Sequence, residues 1–234
     1  MDKQVKRINE DQVEALYAFT RQHYVEYYDL QTELVDHLAN AIEARWQQQP
    51  QLSFDEAVSI EFKKFGIFGF MDVVEKRQLA LGKKYYTLLW NYLKIFLRLP
   101  QIIFTTLLVV FFYEMLQLSA YMYAGIFTFL LLGSWVRLML LRWQYNKKVK
   151  LTGKKWLLED TIFSCGGFGV VVNLPLQMAI HLNSAQASPI VYWIMATVIV
   201  LLLLYNYVVL FLLPAKAEKH LMALYPEYKF EFPS

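Results

Sequence analysis

One cysteine, Cys165, stands in the whole chain, so no intrachain disulfide can form and no cysteine-rich zinc site can be built. Charge is also scarce: 18% of the 234 residues are charged and 57% are hydrophobic. Ordinary soluble domains carry about a quarter charged and about half apolar residues. The first twelve residues are polar and lack the apolar core of a cleaved secretory signal. Basic residues are few between Glu10 and Glu75, four against 13 acidic ones, and acidic residues are absent between Lys76 and Arg98, where six are basic. An acidic region suggests no nucleic-acid partner. A basic collar beside it is drawn to anionic lipid, each Lys or Arg contributing on the order of 1 kcal/mol near the surface.

What is present in excess is apolar length. Of 43 charged residues, 27 precede residue 99, so the chain divides near there. A membrane-crossing helix needs about 20 mostly apolar residues. Four segments meet that length, at about 99–118, 120–141, 157–180 and 190–213. The first is the least clean, because Arg98 and Glu114 bracket only 15 uncharged residues, about 22 Å of helix. The predicted class is therefore all-α: a small cytoplasmic helical domain over 1–82, a basic and aromatic interfacial helix over 83–98, a four-helix transmembrane bundle over 99–213, and a tail over 214–234.

Lysine and arginine set the expected orientation, since short loops rich in them stay cytoplasmic. Six precede the first span, six lie in the second connection and three in the tail, whereas the stretches around Gln117 to Ser119 and from His181 to Pro189 hold none. Both termini are expected inside, in a multi-pass protein of the cytoplasmic membrane, with lipid as the first partner.

Within residues 1–98, helical periodicity marks Val13, Leu16, Tyr17 and Thr20 on a first helix. Asp29 is the expected N-cap of a second helix, striped by Leu30, Leu34, Leu38, Ala41, Ile42 and Trp46. Ser53 and Glu56 form a capping box for a third, with inner face Phe54, Ala57, Val58, Phe62 and Phe65 and Gly66 as its left-handed end. A fourth starts at Asp72, reaches Gly82 and leads into an interfacial stretch.

The run Tyr28 to Leu38, with Glu33, Leu34, Asp36 and His37, followed by Ser53 to Ala57 and Lys64 to Gly66, resembles the HAAS-type signalling domain of bacterial multi-span membrane proteins. The resemblance covers about residues 10–80. It implies a membrane-linked signalling role with a cytoplasmic protein partner, such as a transcription regulator, and carries no catalytic residue.

Candidate chemistry is thin. Glu33 and His37 stand one helical turn apart, where two side chains can touch or share a metal. Two ligands do not make a site, so a structural histidine is favoured over metal binding or proton sensing. In the spans, Glu159 and Asp160 suit either a functional buried carboxylate or, as favoured here, a first-turn pair complementing the helix dipole and meeting Lys154 or Lys155. Asn173 and Gln177, with Pro175 between them, could open the third span around a ligand, while Gly166, Gly167 and Gly169 favour close packing and homo-oligomerisation. No HExxH, phosphate-binding glycine loop or GxSxG elbow occurs. The expectation is a non-enzyme without cofactor or metal, signalling or regulatory, with a small transporter or transporter subunit built on the third span as the rival.

Overall fold

In a computed structural model the described residues are 6–118, 120–164, 188–225 and 228. Among them the chain is all-helical. It divides into two compact units, residues 1–82 with 152–157, and residues 83–151 with 158–234.

In the first unit α1 (Glu10–Gln22) opens on an Asn9 capping box with Gln12, which satisfies two otherwise orphaned amides. α2 (Tyr28–Gln48) supplies the central stripe: Leu30, Leu34, Leu38, Ile42 and Trp46 are all buried, and Val35 joins them. α3 (Phe54–Lys63) opens on the expected capping box, the Ser53 N–H donating to the Glu56 carboxylate at 3.0 Å and the Glu56 N–H to Ser53 Oγ at 3.3 Å. Ala57 and Val58 form its buried face while Phe54, Phe62 and Phe65 are half-buried. The chain leaves α3 through Gly66 at φ 80° and turns again at Gly69, φ 55°. A Cβ on Gly69 would stand 2.9 Å from the Phe62 ring, so close approach as well as backbone conformation requires glycine there.

Asp29 does not cap α2 as its position in the sequence suggests. The helix starts two residues earlier, after Tyr27, and the Asp29 carboxylate accepts the backbone N–H of Leu157 at 3.2 Å. An acceptor for a distant amide outweighs the local capping preference.

α4 (Met71–Leu93) runs unbroken through Gly82, so the expected separation between a fourth helix and an interfacial one is a change of composition, not of backbone. It passes into a 3-10 turn, Lys94–Leu97. In the second unit α5 (Gln101–Leu118) packs on α8 (Pro189–Tyr207), with Phe112, Leu116, Met195, Ala196, Ile199, Val200 and Leu204 at their contact. α6 (Ala120–Thr152) continues 11 residues beyond the expected span end at Leu141. α7 (Leu157–Phe163) is the described start of the third expected span, whose remainder lies outside the described residues. α8 continues through a π-helical turn, Val208–Leu212, into α9 (Leu213–Ala215), then α10 (Ala217–Leu224). The ladder widens just ahead of Pro214, which has no N–H to donate.

Among the described residues two helices are long and apolar enough to cross a membrane, Gln101–Leu118 and Pro189–Ala215, and most of the third expected span lies outside those residues.

Candidate functional site

The cassette singled out in the sequence does not assemble a ligand set. Glu33 is exposed on α2 and pairs with Arg77 Nη2 at 3.1 Å rather than with His37. His37 is exposed, its ring meeting the edge of Phe65 with 5.9 Å between centroids. Asp36 faces out, and Leu34 belongs to the core. No group of three metal-ligating side chains occurs among the described residues.

The ionic centre of this unit is one that periodicity missed. Glu61 is 3% exposed on α3 and lies 2.6 Å from Arg45 Nε of α2 and 2.5 Å from Lys64 Nζ. Burial alone would raise its pKa, but the hydrogen bonds from Lys64 and Arg45 outweigh it and hold the carboxyl below its ordinary 4.5. A Glu at a helical core position is the only hint the sequence offers.

The distinctive feature of the unit is the inserted segment 152–157. Gly153 turns at φ 66°, the Tyr28 N–H donates to the Lys155 carbonyl at 2.7 Å, and Asp29 accepts from Leu157. Trp156 is buried with its ring edge-on to Tyr28, 5.4 Å between centroids. Lys155 reaches Glu26 at 3.2 Å and Lys154 lies over the Tyr28 ring at 4.1 Å.

In the second unit Glu159, 3% exposed, pairs with Lys148 of α6, and Lys148 also donates to Tyr228 Oη. Burial opposes the charge on Lys148, but its bonds to Glu159 and Tyr228 carry its pKa above the ordinary 10.5. Burial pushes the Tyr228 hydroxyl up. Asp160 is half-buried. Nearby in sequence, His220 Nε2 lies 2.9 Å from Tyr92 Oη, and burial, then Lys216, Lys219 and Lys84, depresses its pKa. Asn173, Gln177 and the glycines of the third expected span lie outside the described residues.

Polar groups also meet between α6 and α8: Asn206 Nδ2 donates to Ser134 Oγ at 2.5 Å, while Asn206 Oδ1 and Arg137 Nε are buried without a partner among the described residues.

The described architecture defines an all-helical protein with two membrane-competent helices. No family model, no curated protein and no solved structure matches the chain.

Proposed function

We propose that the chain is a membrane-anchored signalling or regulatory protein whose N-terminal helical unit docks a protein partner. The observation that carries this reading is the tip between α3 and α4. There Ile67 is fully exposed, Phe68 and Met71 are 69% and 54% exposed, and the two left-handed glycines set the turn around them. Apolar side chains concentrated on a turn of an otherwise acidic unit are an interaction surface in search of a partner. The resemblance of residues 10–80 to the HAAS-type cassette supports the same role.

Four spans with both termini in the cytoplasm complete the proposed topology, from the apolar segments and the Lys and Arg distribution. Supporting it, only 17% of the apolar window in α5 is buried within the protein, as expected where lipid is the solvent. The segment 152–157 gives the signalling route a covalent basis: the connection between α6 and α7 is part of the docking unit.

The test is capture of partners from solubilised membranes by the full chain and by Ile67→Glu/Phe68→Glu. Loss of a reproducible partner, with thermal stability unchanged, is expected; the same partners on both baits would refute docking at this tip. A small transporter is the second reading, favoured by Asn206 Oδ1 and Arg137 Nε, two buried atoms without a hydrogen-bond partner among the described residues. It predicts altered solute flux in reconstituted Asn206→Leu, and unaltered flux would remove it.

A further inference from the structure

Antiparallel packing in the second unit brings the start of α5 to the end of α8. Just before α5 the Phe96 ring meets Tyr207 edge-on, 6.1 Å between centroids, and at the opposite end Tyr113 stacks on Trp193 at 4.3 Å. The apolar helix that ends at Ala215 is followed at once by Lys216, and α10 then meets α4, the helix that leads into α5. Cations of α4 and α10 therefore gather at one end of the helix pair.

Their meeting point is built on Tyr92. Its hydroxyl lies 2.9 Å from His220 Nε2, and Lys216 Nζ stands over its ring, 4.8 Å from the centroid. Tyr92 and His220 are half-buried, whereas Lys84, Lys216 and Lys219 are exposed. Lys219 and His220 follow Lys216 by three and four residues, so the three share one face. Glu218, the one carboxylate of α10, turns to the other side, where it lines a cavity with Lys148, Glu159 and Tyr228. None of the three lysines has a carboxylate within ion-pair distance among the described residues. Burial, then the charges of Lys216, Lys219 and Lys84, depresses the His220 pKa, as expected where like charges face one point. Three such charges around one contact favour an anion there.

We propose that Lys84, Lys216 and Lys219, arranged around the Tyr92–His220 contact, bind the phosphate of an anionic phospholipid headgroup. The site requires the proposed crossing of the membrane by α5 and α8, which puts this end of the pair at headgroup depth. Lys216 directly continues the apolar helix, and this continuity selects a lipid over a soluble anion. In the turns just before it Tyr207 and Phe211, stacked at 5.7 Å and each nearly half exposed, offer an acyl chain an apolar surface. A zwitterionic lipid carries its own cation beside the phosphate and gains less from the lysines.

The full chain is reconstituted into phosphatidylcholine nanodiscs. In parallel it is titrated in neutral detergent with phosphatidylglycerol or phosphatidylcholine, and bound lipid is counted by native mass spectrometry. Phosphatidylglycerol is expected to bind more tightly and to slow hydrogen exchange over α10. Lys84→Gln, Lys216→Gln and Lys219→Gln should each weaken its binding about fivefold, the effect of one cation at an anionic headgroup, and Lys216→Gln/Lys219→Gln about 25-fold. Lys63→Gln, the same charge change on α3, should leave binding unchanged. Because all three lysines are exposed, the variants should melt with the wild type. Equal affinity for the two lipids, or wild-type affinity for phosphatidylglycerol in the double variant, would overturn the proposal and leave the membrane reading standing. Displacement of phosphatidylglycerol by equimolar glycerol 3-phosphate would assign the site to a soluble anion and overturn its lipid. Failure to enter the nanodiscs would overturn the membrane reading and this site with it.

Discussion

α2 and α5 both carry leucine and isoleucine among their apolar side chains, yet they use those side chains in opposite ways. On α2 the apolar side chains form one stripe and vanish inside the unit, Leu38 and Ile42 to 0% exposure. On α5 they point all round, and Ile103, Phe104, Leu107 and Phe111 remain 53–63% exposed. The first helix is solved by protein neighbours. The second leaves its surface to whatever surrounds it, which for the proposed membrane protein is hydrocarbon. Burial is therefore a measure of stability in the first unit and a poor one in the second.

The sharpest break of that contrast is a matched pair of truncations. Leu38→Ala removes side-chain volume from a closed core and is expected to cost about 3–4 kcal/mol, whereas Leu107→Ala should stay within about 0.5 kcal/mol, as an uncoupled surface change does. Thermal unfolding of the full chain in detergent, followed by hydrogen exchange of α2 and α5, reads both. Equal losses would show that α5 is packed like α2.

Next come the buried ions, one pair in each unit. Lys148→Met strands the Glu159 carboxylate and is expected to cost about 3 kcal/mol, while Lys148→Met/Glu159→Gln should recover most of it, because removing both charges removes the desolvation problem. A double variant as unstable as the single one would mean that packing, not charge, dominates there. In the first unit Glu61→Gln should cost about 2 kcal/mol, less than Lys148→Met because it removes the buried charge itself and leaves two cations, Arg45 and Lys64, that water can reach. Since the folded-state pKa of Glu61 lies below the ordinary 4.5, its stabilisation is complete above that value and fades as pH falls through the folded pKa. Melting temperatures of wild type and Glu61→Gln should accordingly differ at pH 7 and converge in acid; a gap independent of pH would argue against the ionic role.

The smallest expected effect concerns the inserted segment. Asp29→Ala leaves the Leu157 amide without its acceptor, a loss of about 1 kcal/mol, similar to a missing helix cap. Trypsin reads this locally at Lys154 and Lys155, and faster cleavage there, with α2 exchange unchanged, is the predicted signature. Cleavage at the wild-type rate would show that the segment is held without the Asp29 contact.

Periodicity made the core of the first unit legible because a helix repeats every 3.6 residues and one face must leave water. Leu30, Leu34, Leu38, Ile42 and Trp46 were readable for that reason, and so were the Ser53 and Glu56 cap and the turn at Gly66, where the relevant partner is three or fewer residues away. The same logic misled at Asp29. A capping residue is recognised by its local context, and this one is used by an amide 128 residues later in the chain. Glu33 and His37 suggested a pair because spacing permits contact, but Arg77 offered Glu33 an opposite charge and His37 found an aromatic edge. Lys148 and Tyr228 carried no signal, and Glu61 only its place at a helical core position, since a titratable residue announces little until its neighbours are known.

By itself the sequence determined that the chain is helical, that its apolar length is concentrated after residue 98, and where the first unit places its central stripe. Those are properties of short windows: hydrophobic period, run length and cap spacing act over a few turns of helix. Only the tertiary structure decided that residues 152–157 belong with the N-terminal helices, that Glu159 faces Lys148, and that Arg21 shares a cavity with two lysines from that distant segment. Each depends on which surfaces meet after the chain has closed long loops, and the free energy that selects them is spread over many contacts rather than written at any one position.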